Sequence, residues 1–159
     1  IQRSSATPWG AWTTTTPAAT PKNTPKKDMV AIMAAHRIPY TASASIAYPE
    51  DLVRKLQKAQ GIRGSKFIHI LAPCPSGWKS EPAETIKVSR LAVQSKVFPL
   101  YEVEEGERWR VTVRPSEAPV IEYLRRQGRF NHLTPAQIDE IQRNVDRHWA
   151  ELLARAEQG

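Results

Sequence analysis

Residues 67–78 of the chain read FIHILAPCPSGW, and the fold can be worked out from this stretch. Its first five residues are apolar except for His69, which is the length and composition of a strand buried on both faces. Two prolines follow, and because proline has no backbone N–H, strand pairing must stop there. Cys74 lies between the prolines. We therefore place it at the carboxyl end of a predicted central strand, where ligands bind in open α/β sheets.

Helical and strand patterns alternate before this stretch. Asp28 is a predicted N-cap for a helix that runs to about Arg37, and residues 40–46 form a predicted strand. A second helix over residues 49–61 begins with proline and two acidic residues and ends at a glycine. Because this helix separates two strands, the order predicts a parallel β-α-β unit within an α/β core that extends to about residue 96.

The rest of the chain contains further elements by the same criteria. They are a helix over 82–94, strands over 100–104 and 108–113, a short helix over 119–126, and a long helix that begins at Pro135 and is capped by Thr134. The Glu105-Gly106 pair between the two strands is typical of a hairpin turn.

The N-terminal residues 1–25 are rich in Ser, Thr and Pro, and a low-complexity linker is one interpretation. Trp9 and Trp12 weigh against a purely solvated linker, because each has a large apolar surface to bury. The chain opens without an initiator methionine inside a polar, turn-forming sequence. We expect a larger N-terminal part to precede it.

Charge and cysteine content limit the classes of function. The chain has 159 residues and a formal net charge of +7, but its basic residues are dispersed and no recognised nucleic-acid motif is present. A solvated basic surface or an acidic protein partner is the simpler interpretation. No apolar run approaches the roughly 20 residues that span a bilayer. A single cysteine favours a reducing cytoplasm.

No set of side chains has the spacing of a known catalytic site, so the catalytic residues stay unassigned. We expect structural roles for the four histidines, and the sequence has neither zinc-type spacing nor a phosphate-binding glycine loop. Cys74 has three interpretations on local sequence. It is a buried inert thiol, a reactive thiol, or an iron–sulfur ligand that shares its cluster with cysteines outside this chain.

Six segments, in order along the chain, carry a family resemblance. They are IQRSSATPWGAWTTTTP at 1–17, KKD at 26–28, IAYPEDL at 46–52, FIHILAPCPSGW at 67–78, FPLYE at 98–102 and YLRRQGRFNHL at 123–133. Together they resemble the beta subunits of pyruvate:ferredoxin oxidoreductases, in the thiamine-diphosphate-dependent 2-oxoacid:ferredoxin oxidoreductase family. The resemblance covers nearly the whole chain.

This resemblance implies an α/β fold and an activity. The fold would be the C-terminal half of a thiamine-diphosphate-binding fold, a parallel sheet flanked by helices, with a β-hairpin and a helical C-terminal extension. Residues 1–96 would be the C-terminal portion of the cofactor-binding domain, and residues 97–159 the extension. The activity would be oxidative decarboxylation of pyruvate to acetyl-CoA and CO2, with electrons passed through [4Fe–4S] clusters to ferredoxin. We expect the chain alone to be inactive.

The resemblance also implies thiamine diphosphate, Mg²⁺ and a [4Fe–4S] cluster in the intact subunit. The residues that match the loop beside thiamine diphosphate are Gln2, Arg3, Ser4, Ser5 and Thr7. The segments that bind the diphosphate and its metal would lie before Ile1. Cys74 matches one cluster ligand, and the other three cysteines would lie outside this chain.

The expected partners are alpha-, gamma- and delta-type subunits of the same enzyme, ferredoxin, pyruvate and coenzyme A, with no nucleic acid and no membrane. Three alternatives remain open. The first is a related 2-oxoacid:ferredoxin oxidoreductase with another substrate preference, and the second is a non-catalytic fragment that docks a partner subunit. The third is a basic nucleic-acid-binding protein, whose affinity for duplex DNA would fall steeply with salt.

Overall fold

A four-stranded mixed sheet organises the computed structural model of the chain, in which residues 7–12 and 20–158 are described. The strands are β1 at Tyr40–Ser45, β2 at Lys66–Leu71, β3 at Leu100–Glu104 and β4 at Arg108–Val113, in the spatial order β2-β1-β3-β4. β1 and β2 run parallel, with Tyr40 opposite Lys66. The predicted β-α-β unit is therefore confirmed.

Helices surround this sheet. They are α1 at Met29–Ala35, α2 at Pro49–Gly61, α3 at Pro75–Trp78, α4 at Thr85–Gln94, α5 at Val120–Leu124 and α6 at Pro135–Gln158, with 3₁₀ turns at Pro82–Glu84 and Gly128–Phe130. The Asp28 carboxylate accepts hydrogen bonds from the backbone N–H groups of Val30 and Ala31, so the predicted cap of α1 is confirmed. Helix α3 is new, since the sequence predicted only a rigid loop there.

β2 corrects the prediction of a central strand buried on both faces. Within the described residues it is the edge strand of the sheet, its side chains are exposed or half-buried, and Ile70 is 43% exposed. The buried strand is β1, because it pairs on one side with β2 and on the other with β3, and all six of its residues are buried. An apolar run reports the composition of a strand, whereas burial depends on how many neighbours that strand has.

The predicted hairpin is confirmed, and it extends the same sheet. β3 and β4 pair antiparallel, and the turn between them includes Gly106 at a φ of 77°. β3 also pairs antiparallel with β1, with Val103 opposite Thr41. The parallel and antiparallel parts of the sheet therefore share one layer.

Two apolar clusters cover opposite faces of this layer. Tyr101 and Val103 of β3 belong to a cluster with α1 and the C-terminal part of α6, where Leu152 is buried. Tyr40 and Ala42 of β1 lie opposite Glu104 and Glu102, on the other face, and belong to a cluster with Ala59 of α2. This alternation follows from the two-residue period of a strand. A third and larger cluster contains Leu100, where the β3–β4 register is irregular, together with α4 and α5.

Between α2 and the sheet lies a buried polar layer. The Glu102 carboxylate is 1% exposed and accepts hydrogen bonds from Tyr40 Oη at 2.6 Å and from Lys58 Nζ and Arg110 Nε, both at 2.9 Å. Lys55 Nζ is fully buried and donates to Asp51 Oδ2 at 2.6 Å. These charges are paired, as burial requires.

Candidate functional site

The segment at residues 7–12 is packed against the C-terminal part of the chain. Ala11 is 1% exposed and lies in the larger apolar cluster. The backbone N–H of Trp12 donates to the Arg129 carbonyl at 3.1 Å, and its indole N–H donates to the Gly128 carbonyl at 3.3 Å. The Lys22 backbone N–H donates to the Ala11 carbonyl at 2.9 Å, which ties the next part of the chain to the same place. In the described residues, this is an anchored segment and not a solvated linker.

Cys74 lies after the carboxyl end of β2, as predicted, and it is the N-cap residue of α3. Its thiol is exposed, which overturns the interpretation as a buried inert thiol. The Trp78 backbone N–H donates to the Cys74 carbonyl at 2.8 Å and closes the single turn of α3. The turn therefore fixes the backbone at Cys74, and the residue stays exposed.

Two cation–π contacts hold the residues that follow Cys74 against the N- and C-terminal parts of the chain. The Arg129 guanidinium lies 3.8 Å from the centroid of the Trp78 ring, and the Lys79 ammonium lies 3.8 Å from the centroid of the Trp12 ring. The Gly128 N–H donates to the Lys79 carbonyl at 2.9 Å. A Cβ on Gly128 would lie 2.8 Å from Lys79 Cβ, so the close approach of these two segments needs glycine here.

A cavity of about 270 Å³ opens between the N-terminal segment and the carboxyl end of β2. Its lining residues are Thr7, Pro8, Lys26, His69, Ile70, Leu71, Ala72, Trp78, Val97, Phe98, Tyr123 and Arg129. Thr7, one of the predicted cofactor-loop residues, is therefore in the wall, whereas Cys74 is not. The other predicted loop residues, Gln2, Arg3, Ser4 and Ser5, lie outside the described residues.

The lining of the cavity contains the basic side chains of Lys26, His69 and Arg129 and no acidic residue. Burial desolvates the half-buried Lys26 ammonium and, with Asp28 opposing and Lys22 adding, lowers its pKa to about 8. Burial also lowers the pKa of His69, and the charge of Lys26 adds to this while Asp28 opposes it. Arg129 is 3% exposed, and desolvation lowers the pKa of its guanidinium.

The donor set for a metal is incomplete. Within residues 7–12 and 20–158, no three His, Cys, Asp or Glu side chains come together as a metal site. An iron–sulfur cluster needs about four thiolates, and this chain supplies the Cys74 sulfur alone. For such a cluster this chain could supply one thiolate at most, and the other ligands would have to come from other polypeptide. None of the described helices has both the length and the apolar content needed to cross a bilayer.

Sequence reasoning missed Lys26 and Arg129 as site residues. Both lie within segments that carried the family resemblance, KKD at 26–28 and YLRRQGRFNHL at 123–133, yet neither segment has a spacing that points to a cavity. Only the packing of the 3₁₀ turn at Gly128–Phe130 against α3 brings Arg129 to Trp78.

Similar proteins share half of their length with this chain. Pyruvate synthase subunit PorB of Methanocaldococcus jannaschii is 53% identical over 150 residues, which cover 92% of this chain and 50% of that protein. Ketoisovalerate oxidoreductase subunit VorB of Pyrococcus furiosus is 46% identical over 163 residues, 99% of this chain and 52% of that protein. Pyruvate synthase subunit PorB of the same organism is 40% identical over 172 residues, 94% of this chain and 52% of that protein.

The chain therefore spans about half the length of the curated relatives it matches. No profile of a known protein family matches it.

Proposed function

Since the chain belongs to the 2-oxoacid:ferredoxin oxidoreductase family, we propose that it is the C-terminal part of the beta-type subunit of a pyruvate:ferredoxin oxidoreductase. The complex would decarboxylate pyruvate oxidatively to acetyl-CoA and CO2 and pass the electrons to ferredoxin. The observation that carries this proposal is the similarity to pyruvate synthase subunits along nearly the whole chain. Ketoisovalerate oxidoreductase subunits are also similar, which keeps a branched 2-oxoacid as the second candidate substrate.

We assign the cofactor chemistry to groups held jointly with other polypeptide. Thiamine diphosphate, with Mg²⁺, would supply the carbanion-stabilising centre, and a [4Fe–4S] cluster would supply one-electron transfer. Gln2, Arg3, Ser4, Ser5 and Thr7 would lie beside the thiamine diphosphate. In support, Thr7 is held in the wall of a cavity at the carboxyl end of β2, the edge where α/β sheets bind ligands.

Cys74 would be one thiolate ligand of the [4Fe–4S] cluster. Its exposed sulfur, at the start of α3, is free to face a cluster whose other ligands lie outside this chain. Pro73 and Pro75 restrict the backbone on each side, so the ligand would bind with little reorganisation. The residues of this chain would hold and orient the cluster at this one position.

The remaining parts of the proposal concern assembly. The partners would be alpha-, gamma- and delta-type subunits, with ferredoxin and coenzyme A as co-substrates, in the cytoplasm, and the chain alone would be inactive. We keep residues 1–96 as the cofactor-binding part and residues 97–159 as the extension. The pairing of β1 with β3 requires that these two parts fold against each other.

The test is Cys74→Ser in the assembled enzyme, with Ser76→Ala as the matched control on the same exposed turn. We expect Cys74→Ser to lose iron, the electron paramagnetic resonance signal of the reduced cluster and pyruvate-dependent ferredoxin reduction. Ser76→Ala should keep all three. Serine is close to isosteric with cysteine and this site is exposed, so the fold should change by less than about 1 kcal/mol. Full iron content and normal turnover in the Cys74 variant would refute the assignment.

Substrate choice is tested separately. The assembled wild-type enzyme should reduce ferredoxin with a higher kcat/KM for pyruvate than for 2-ketoisovalerate. A higher value for 2-ketoisovalerate would assign the chain to the second candidate. Absence of activity with both 2-oxoacids in an iron-loaded complex would favour a non-catalytic docking role.

A further inference from the structure

Arg129 is a buried cation without a carboxylate. It is 3% exposed, and its hydrogen bonds go to neutral acceptors, from Nε to Gln127 Oε1 at 2.9 Å and from Nη2 to Tyr123 Oη at 3.0 Å. No Asp or Glu among the described residues forms an ion pair with it. Burying an unpaired charge costs several kcal/mol. Lys55, which is fully buried, avoids that cost because it is paired with the Asp51 carboxylate.

The other basic residues in the cavity wall add positive charge near Arg129 and do not neutralise it. Lys26 lines the same cavity and donates to the Val97 carbonyl at 3.3 Å, and His69 lies beside it. Asp28 is the acidic group whose charge opposes the lowering of the pKa of Lys26 and of His69. However, its carboxylate already accepts from Tyr101 Oη at 2.6 and 2.7 Å and from the N-terminus of α1.

The N-terminal sequence cannot neutralise the cavity either. Residues 1–27 contain Arg3, Lys22, Lys26 and Lys27, and they contain no Asp or Glu. Residues 13–19, which lie outside the described part, are also without acidic side chains. The positive charge at this cavity is therefore a property of the chain itself, and its counter-charge has to come from elsewhere.

We propose that this cavity binds a small oxyanion, a carboxylate or a phosphate, through Arg129 and Lys26. A guanidinium has a planar fork of N–H donors that matches both anions, and the contacts within the chain leave part of that fork unused. The apolar side chains of Leu71, Val97 and Phe98 in the lining lower the local polarity, which strengthens the attraction between the two cations and a bound anion. The cavity, at about 270 Å³, has room for phosphate or a short carboxylic acid and several waters, each of which takes about 30 Å³.

The cavity is the one whose wall contains Thr7, so this inference deepens the proposed function at that site. Its test requires neither a cluster nor turnover, and its failure is therefore distinct from failure of the proposed function. The experiment titrates the full 159-residue chain with inorganic phosphate and, separately, with acetate, at constant ionic strength set by chloride. Binding is read from the His69 imidazole NMR signals and from the thermal midpoint, which rises when a ligand binds only the folded state.

We expect saturable binding of at least one of the two anions. Arg129→Met and Lys26→Gln should each weaken it about tenfold or more, the effect of losing a charge-assisted contact of about 1.4 kcal/mol. Arg125→Met removes the same charge from an exposed position a few residues away and should leave the affinity unchanged. If Arg129→Met fails to fold, the half-buried Lys26 still permits the test through Lys26→Gln.

Three results would overturn the proposal. One is the absence of saturable shifts with either anion. Another is equal weakening by Arg125→Met and Arg129→Met, which would show only a diffuse effect of net charge. The last is binding of a short glutamate-rich peptide with no binding of phosphate or acetate, which would assign the cavity to a polypeptide side chain.

Discussion

Replacing Glu102 by glutamine should destabilise the chain strongly at neutral pH. Glu102 is buried in β3 between the sheet and α2, and its carboxylate accepts hydrogen bonds from Tyr40, Lys58 and Arg110. The Glu102→Gln variant keeps the volume of the side chain, so the core does not acquire a cavity. The variant instead removes one buried negative charge and turns an amide donor toward cationic donors.

The size of the effect follows from the pKa of the carboxyl group. Burial by itself would raise the pKa of Glu102, but the hydrogen bonds from Tyr40, Lys58 and Arg110 outweigh it and hold the pKa at about 2, against an ordinary 4.5. At about 1.4 kcal/mol per pKa unit, this difference corresponds to roughly 3 kcal/mol. Arg110 is 61% exposed on its side chain and is screened by solvent, so we expect about 2–3 kcal/mol.

The sign of the pH dependence follows from the same shift. The folded state binds the proton of Glu102 more weakly than the unfolded chain, so the stabilisation is fully present above about pH 4.5. It is lost as the pH falls through the folded pKa near 2. Urea unfolding of wild type and Glu102→Gln, followed by tryptophan fluorescence, should therefore show a large difference at pH 7 that shrinks as the pH is lowered below 4.5.

Glu151→Gln, at an exposed position of α6, is the matched control and should change the free energy of unfolding by less than about 0.5 kcal/mol at any pH. The reasoning fails if Glu102→Gln costs no more than this control. It also fails if the cost of Glu102→Gln is the same at pH 7 and at pH 3, because the loss would then be unrelated to the carboxylate charge.

Two further substitutions test the packing. Gly106→Ala should destabilise the hairpin by about 3 kcal/mol or more, since Gly106 has a φ of 77° and a Cβ there would lie 2.5 Å from the Ala34 carbonyl oxygen. Its control is Gly61→Ala, which should be neutral or slightly stabilising because nothing lies within 4 Å of the new Cβ. Equal unfolding midpoints for the two variants would contradict this. Lys55→Met should lower the free energy of unfolding by about 3–5 kcal/mol, because it leaves the Asp51 carboxylate buried with only the partly exposed Arg54 as its partner. A decrease below about 1 kcal/mol in chemical denaturation would show that the Lys55–Asp51 pair is not stabilising.

The type and order of most elements could be predicted from local pattern. Asp28 and Pro135 mark helix starts, and Glu105-Gly106 marks the hairpin, because caps and turns depend on a few neighbouring residues. The parallel pairing of β1 and β2 followed from the helix between them. The single turn of α3 was missed, since four residues are too few to show a helical period.

For Cys74, the position in the chain fold could be predicted from the sequence, and the exposure could not. Its place after β2 was predictable, because the proline pair must end the strand. Its exposure was not, since burial of one thiol depends on which segments pack over the turn. The family resemblance raised the iron–sulfur interpretation, and the similarity to pyruvate synthase subunits supports the family but tests no individual ligand.

The sequence alone thus determined most elements, their order and the place of Cys74, because caps, turns and strand ends depend on near neighbours. It also indicated the family, through the resemblance carried by the six segments. Tertiary structure decided that β1 and not β2 is the buried strand, since burial depends on the number of neighbouring strands. It also decided that Lys26, His69 and Arg129 line one cavity. These residues are separated by up to about a hundred positions in the chain, and no local pattern records which distant segments will pack together.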